Sequence, residues 1–158
     1  MYKVGDNVVY PMHGVGKIEA IEKKKILNKT TKYYIIKSLQ GNIKFMVPVD
    51  KADEIGVRPV IDKKSVNKVL NILKKKKVKY EDDWKTRYQS NTDKIKSGSI
   101  FEIAEVVRDL YNKNKEKELS LMEKKMYETV LNQIILEISI AKKIDYSKAE
   151  KIINKILP

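Results

Sequence analysis

Side chains that could carry out catalysis are scarce in this 158-residue chain. His13 is the single histidine and cysteine is absent, so zinc sites and thiolate or histidine-based reactions lack their usual groups. The acidic pairs at 53–54 and 82–83 are adjacent in sequence and should point apart. The glycine motif at 14–16 lacks the further glycine and the following helix of a phosphate-binding loop and suits a turn, as does His13. We therefore predict a non-enzyme with no catalytic residue, metal or cofactor.

The single tryptophan lies in a charged stretch, residues 81–91 (EDDWKTRYQSN). Either Asp82 or Asp83 can cap a helix, and capping by Asp83 makes Trp84 the first helical residue. One interpretation places Trp84 in a core stripe with Tyr88, four residues on. A large aromatic side chain is more often packed than exposed, which favours that interpretation.

The rival interpretation makes Trp84 a DNA contact. Lys85 and Arg87 flank it, and the free amides of a helix start can hold a phosphate. An apolar ring between phosphate contacts is what insertion into a minor groove requires. The negative charges of Asp82 and Asp83 oppose a phosphate at that position. From the residues alone, both interpretations stay open.

The excess of basic over acidic residues favours anionic partners. The chain has 34 basic and 21 acidic residues, a net charge of +13, which suits nucleic acid or a membrane surface. Lysine supplies 31 of the 34, beside abundant Ile, Asn and Tyr, so part of the excess fits A- and T-rich codons. We find no signal-peptide run and no apolar stretch of about 18 residues, and we expect a soluble cytoplasmic protein.

The first third of the chain has the alternation of β-strands. Strands are predicted at Asn7–Tyr10, 15–22, 32–39 and 43–49, and the turn residues 40–42 join the last two into a hairpin. Pro48 cannot donate to a ladder, so its strand should lie at an edge or end there. Four short strands predict a small closed β-barrel over residues 1–57.

From about residue 61 the apolar period becomes helical, and residues 58–158 are predicted to form a compact all-α bundle of about five helices. The first helix follows Asp62 and carries the apolar residues Val66, Val69, Leu70 and Leu73. The lysine-rich residues 74–79 suit a solvated connection. The second helix should end before Gly98. Three further starts have the spacing of a capping box, Ser99 with Glu102, Ser120 with Glu123 and Ser147 with Glu150. The predicted fold class is α+β.

The motif VGDNVVYPMHGVG at 4–16, followed by IEAI at 18–21, resembles the start of the CarD/CdnL family of bacterial transcription regulators. Its amino-terminal domain is shared with the transcription-repair coupling factor. The resemblance extends over almost the whole chain through Tyr34, Gly41, Val47-Pro48, Gly56-Val57-Arg58, Trp84, Arg87-Tyr88, Asn91, Lys94, Ser97-Gly98 and residues 104–110 (AEVVRDL).

The resemblance implies a Tudor-like (SH3-like) domain that binds the RNA polymerase β subunit and a helical domain that approaches promoter DNA. Trp84, with Lys85 and Arg87, would contact the minor groove without sequence specificity, as a wedge at the upstream edge of the bubble that stabilises the open complex. The polymerase contacts would be Lys24 and the strand residues Met46, Val47 and Pro48.

Three positions depart from the better-known members of the family. Met46 stands where those members have a basic polymerase contact, and Thr86 and Gln89 stand where they have basic residues beside the tryptophan. A monomer without membrane contact is expected, associated with the nucleoid through polymerase. The alternatives are an autonomous nucleic-acid-binding protein and an adaptor with Trp84 in its core.

Overall fold

The computed structural model describes residues 1–76 and 83–158. Asp82, one of two predicted caps, and residues 77–79 of the predicted solvated connection lie outside the described residues. The chain divides into two compact units, Met1–Val60 and Ile61–Pro158. The first unit extends past the predicted boundary at residue 57, because Arg58–Pro59 form a strand paired with Val8 and Val9.

The first unit is built on one antiparallel sheet. Its strands are β1 (Asn7–Tyr10), β2 (Gly14–Ile26), β3 (Lys29–Ser38), β4 (Lys44–Pro48) and β5 (Arg58–Pro59). They lie in the order β4-β3-β2-β1-β5, so four strands form a meander and the chain returns beside β1. A 3-10 turn at Val49–Lys51 and the short helix α1 (Ala52–Ile55) make that return. Strand β5 is an addition to the four predicted strands.

The turn between β1 and β2 explains the glycine motif. The His13 amide donates to the Tyr10 carbonyl at 2.9 Å, and Gly14 has a φ of 79°, which favours glycine. A Cβ atom on Gly14 would lie 1.9 Å from the Gln40 Oε1 atom. The prediction that His13 and the glycines serve a turn is confirmed.

The hairpin of β2 and β3 is longer than predicted. The sequence predicts strands over 15–22 and 32–39, whereas β2 continues to Ile26 and β3 begins at Lys29. Leu27 and Asn28 have φ values of 51° and 63°, the two positive values that a type I′ turn requires. Residues 21–30 are all exposed, so the hairpin extends beyond the core of its unit.

That core is small and apolar. It contains Val8, Ile18, Tyr34, Ile36, Val47, Ala52 and Val57. The Tyr34 hydroxyl accepts the Tyr2 amide at 3.0 Å, which gives a buried polar group its partner. Strand β4 pairs with β3 and ends at Pro48, as predicted for a strand containing proline.

The second unit contains the five predicted helices within the part of the chain that the structure describes. They are α2 (Lys63–Lys74), α3 (Trp84–Lys96), α4 (Ile100–Glu116), α5 (Leu121–Lys142) and α6 (Tyr146–Ile156). The apolar stripes of these helices meet in one core that includes Val66, Val69, Leu73, Ile103, Val107, Leu110, Val130, Ile134, Ile138, Ala149 and Ile153. The α+β fold class, with strands before helices, is confirmed.

The helix starts differ from the three predicted capping boxes. Ser120 caps α5, since its Oγ accepts the Glu123 amide at 3.2 Å, but the Glu123 carboxylate turns to Arg87 instead of completing a box. Ser99 precedes α4 without a side-chain cap, and its amide donates to the Ser97 hydroxyl at 3.2 Å. The third prediction is wrong, because α6 begins at Tyr146 after Asp145 and Ser147 lies inside the helix.

Candidate functional site

Trp84 is the first residue of α3, and Asp83 caps that helix as predicted. The Asp83 carboxylate accepts the Thr86 hydroxyl at 2.7 Å and the Thr86 amide at 3.3 Å. The hydrogen bond from the Thr86 side chain lowers the pKa of Asp83, against a smaller opposing effect of burial. The carboxylate therefore occupies one of the amides that a phosphate would use at this helix start. Thr86 thus has a structural role at a position where, by the resemblance, the better-known members have a basic residue.

The ring of Trp84 is not part of the core. Its exposed fraction is 40%, whereas Ile95, farther along the same helix, is buried at 8%. The interpretation that placed Trp84 in a core stripe is therefore wrong. Lys85, the next residue, is exposed. The first turn of α3 thus presents an aromatic ring and an ammonium group to solvent.

A cavity of about 500 Å³ lies beside the tryptophan. Trp84 and Arg87 line one side, and the end of α4 contributes Lys113 and Lys117. The acidic groups of its wall have basic partners, since the Arg87 guanidinium binds Glu123 and the Lys124 ammonium binds Glu118. Lys113 itself lies 3.8 Å from Glu116. Lys85 and Lys117 therefore remain against the ionised Asp83, and the described surroundings of the ring carry a small basic excess.

Arg87 is buried under this surface. Its side chain is 10% exposed and that of Glu123 is 0% exposed. The guanidinium donates from Nε to Oε2 at 2.7 Å and from Nη2 to Oε1 at 2.8 Å, a two-point geometry that matches the planar fork of arginine. The Ser120 hydroxyl donates to the same carboxylate at 3.2 Å. The pair joins the first turns of α3 and α5, one turn away from Trp84.

Burial and ion pairing shift the pKa of Glu123 in opposite directions. Burial acts to raise the pKa of the carboxyl, but the hydrogen bond and charge of Arg87, with smaller contributions from Ser120, lower it overall. Glu123 is therefore ionised at neutral pH and matches the charge of Arg87.

Of the three predicted DNA-contacting residues, two are exposed and the third is buried. Trp84 and Lys85 face solvent, but the prediction that Arg87 contacts DNA does not fit its buried pairing with Glu123. Sequence reasoning missed the pair because Glu123 has the spacing of a capping box. The sequence did contain an indication that Arg87 is buried and paired. Arginine occurs 3 times against 31 lysines, and Arg87 lies four residues before Asn91, which is buried on the same face of the helix.

The predicted polymerase-contacting residues lie on β2 and β4. Strand β4 is at the edge of the sheet, where Met46 is 46% exposed. Val47 is fully buried, so its side chain belongs to the core and only its backbone can contact a partner. Pro48 is half-buried, and Lys24 is exposed on β2, 3.9 Å from Glu22.

Comparison with known proteins identifies both units. A model described as "CarD-like/TRCF RID domain" matches residues 2–61, and one described as "CarD, C-terminal domain" matches residues 68–154. The chain belongs to the CarD family. The predicted membership is confirmed, and the first unit is an RNA polymerase-interacting domain of a family of transcription factors. The TRCF in the first description refers to the transcription-repair coupling factor.

Three relatives of this CarD-family chain illustrate the similarity. A Bacillus subtilis protein named "Putative transcription factor YdeB" is 43% identical over 142 residues, which cover 90% of this chain and 93% of that protein. The solution structure of the Myxococcus xanthus CarD amino-terminal domain is 34% identical, covering 37% of this chain and 79% of that one, with a TM-score of 0.33. The Myxococcus xanthus structure called CdnLNt is 31% identical, covering 39% and 86%, with a TM-score of 0.34.

The described residues form neither a membrane-spanning helix nor a cluster of metal ligands. No described helix is both long and apolar enough to cross a membrane. Among the same residues, no group of three or more histidine, cysteine, aspartate or glutamate side chains could hold a metal ion.

Proposed function

We propose that this protein stabilises the promoter open complex while bound to the β subunit of RNA polymerase. The first unit docks on polymerase, and the helical unit places Trp84 in the minor groove at the upstream edge of the bubble. Lys85 contacts the phosphate backbone beside it. Arg87 acts from within the fold, by holding the helix that carries the ring. The protein acts as a monomer without catalytic activity.

The docking step is supported by the exposed edge of the sheet. Strand β4 has a neighbour on one side only, β3, and the backbone groups of an edge strand can pair with a strand of another protein. Met46 supplies an apolar side chain at this edge, and Lys24 an ammonium on β2. A main-chain contact of this kind does not need the basic residue that better-known family members have in place of Met46.

The DNA step rests on one observation, the exposure of the Trp84 ring at the start of α3. The ring is 40% exposed although the chain buries many smaller apolar side chains. The helix that carries it is held at this end by the Asp83 cap and by the buried pair of Arg87 with Glu123. A rigid, exposed ring in basic surroundings suits insertion between base pairs, since the ring loses little freedom on binding.

The expected size of the effect is modest. Docking on polymerase raises the local concentration of the DNA site to roughly millimolar, so a weak contact is sufficient. Stacking of one aromatic ring contributes about 1–3 kcal/mol. A stabilisation of that size shifts the equilibrium toward the open complex roughly 5- to 150-fold.

A pair of matched substitutions separates the two steps. Met46→Glu places a charge on the docking edge and should weaken binding to purified polymerase at least about tenfold, or 1.4 kcal/mol. Met122→Glu is the control, since Met122 is 51% exposed on the helical unit, and should bind polymerase like the wild type. Trp84→Ala should also bind polymerase normally, yet fail to stabilise open complexes.

The outcomes also separate the alternatives. Equal polymerase binding by Met46→Glu and the wild type would contradict docking through β4. Stabilisation of open complexes by a variant that no longer binds polymerase would indicate an autonomous DNA-binding protein. Stabilisation that survives Trp84→Ala would indicate an adaptor whose tryptophan does not contact DNA.

A further inference from the structure

The outer part of the β2–β3 hairpin divides its charges unequally between two faces. Directly opposed residues of antiparallel strands lie on the same face, and the register pairs Lys23 with Lys32 and Lys25 with Thr30. We call these four residues the lysine face. The opposite face carries the pairs Glu22 with Tyr33, Lys24 with Thr31 and Ile26 with Lys29.

Like charges meet on the lysine face without an acidic neighbour among its residues. Lys23 and Lys32 are directly opposed, a placement in which like charges destabilise a strand pair. Lys25 follows Lys23 by two residues, about 6.8 Å farther along the strand. On the opposite face, by contrast, Glu22 lies 3.9 Å from Lys24. The four residues of the lysine face are all exposed, so a bound anion could relieve the repulsion.

We propose that the lysine face binds the phosphate backbone of duplex DNA. Lysine ammonium groups and threonine hydroxyls are common donors to phosphate oxygens. The two lysines of β2 repeat at a separation similar to that of successive phosphates along one strand. A phosphate backbone carries a negative charge at every nucleotide of each strand, whereas a protein strand matches the lysine face only if each of its alternate side chains is acidic. The pattern therefore favours DNA over an acidic protein.

The hairpin has the form such a contact needs. The Leu27–Asn28 turn closes it in two residues, and the strands are paired up to Ile26 and Lys29, so the lysines are carried on ordered backbone. A two-stranded ribbon is narrow enough to lie along or within the major groove. This contact belongs to the first unit and goes beyond the proposed function, in which only the helical unit touches DNA.

The test compares two charge-matched variants of the full chain. Lys23→Gln/Lys32→Gln removes two charges from the lysine face, and Lys29→Gln/Lys37→Gln removes two exposed charges from the opposite face of β3. Binding to a short labelled duplex is followed by fluorescence anisotropy from about 50 to 200 mM salt. The slope of log K against log salt should fall by about 1.8 in the first variant, 0.9 for each lost phosphate contact. It should stay near the wild-type value in the control.

A change in salt slope cannot be attributed to unfolding, because removal of the opposed lysines should leave the melting temperature of the lysine-face variant equal to or higher than that of the wild type. Equal salt slopes for the two variants would overturn the proposal, as would a wild type that binds no duplex at the lowest salt. A lysine-face variant that keeps its DNA affinity but loses polymerase binding would assign the face to a protein contact instead. If the wild type fails to bind polymerase while the two slopes differ as expected, the proposed function fails and this inference stands.

Discussion

Arg87 and Glu123 lie 36 residues apart in the chain and meet in a buried two-point ion pair, with nitrogen–oxygen distances of 2.7 and 2.8 Å. The pair joins the first turn of α3 to the first turn of α5. Trp84 precedes Arg87 by about one helical turn, so the same contact sets where the tryptophan ring lies. An arginine that was predicted to contact DNA thus positions the tryptophan that we propose as the DNA contact.

Breaking this pair should cost much of the stability of the helical unit. Arg87→Ala leaves the Glu123 carboxylate buried without its partner, and we expect the free energy of unfolding to fall by about 3–5 kcal/mol. Lys85→Ala, the control two residues away, is exposed and should change it by less than about 0.5 kcal/mol. Denaturant unfolding followed by circular dichroism measures both values.

A double substitution tests whether the two side chains act together. Arg87→Met with Glu123→Leu removes both charges and keeps apolar volume. The loss in the free energy of unfolding should therefore be well below the sum of the losses caused by Arg87→Met alone and Glu123→Leu alone. Strictly additive costs in that double-mutant cycle would show that the ion pair is not coupled.

Acid should weaken the same contact. The pKa of Glu123 in the folded protein lies below its ordinary value of 4.5, so its ionised form stabilises the fold. That stabilisation is fully present above the unfolded pKa and is lost as the pH falls through the folded pKa. The free energy of unfolding of the wild type should therefore exceed that of Glu123→Gln at pH 7, and the gap should narrow below about pH 4.5. A gap that stays constant down to pH 3 would contradict this assignment.

The basic surroundings of Trp84 can be measured directly, because its fluorescence is the only tryptophan signal of the chain. Nearby lysines concentrate anions around the exposed ring, so iodide should quench the emission more strongly than caesium at low ionic strength. The difference should shrink as added salt screens the lysines. Equal quenching by the two ions would mean that the ring has no cationic surroundings, and weak quenching by both would mean that it is buried.

Sequence patterns predicted most of the fold because local rules and packing agree along much of the chain. Asp62 and Asp83 cap helices where expected, and the apolar stripes of the helices are buried together. The hairpin was harder to predict, since Ile26 follows a lysine run that resembles solvated surface and Leu27 is an unusual residue for a positive φ. The start of α6 was misplaced because Asp145 and Ser147 are both good capping residues, and only tertiary packing decides between them.

The candidate site was only partly predictable for a different reason. A helical period places Trp84, Arg87 and Asn91 near one face but does not say where the core ends, and here it ends between Trp84 and Arg87. The partner of Arg87 is distant in sequence, so no local pattern could have identified Glu123. Pro48 predicted a strand that lies at an edge or ends there, and β4 does both. The strand β5, which pairs with β1 on the other side of the sheet, was not predicted.

The lifetime of promoter open complexes reports whether Trp84 stabilises the opened DNA. Purified polymerase and a labelled promoter are challenged with competitor after addition of wild type or Trp84→Ala. The variant should remain folded, since truncation of a ring that is 40% exposed costs less than the roughly 3–5 kcal/mol of a fully buried one, and its melting curve confirms this. We predict that the wild type lengthens the lifetime roughly 5- to 150-fold and that the folded variant does not. Equal lengthening by both proteins would show that the ring of Trp84 does not stabilise the open complex.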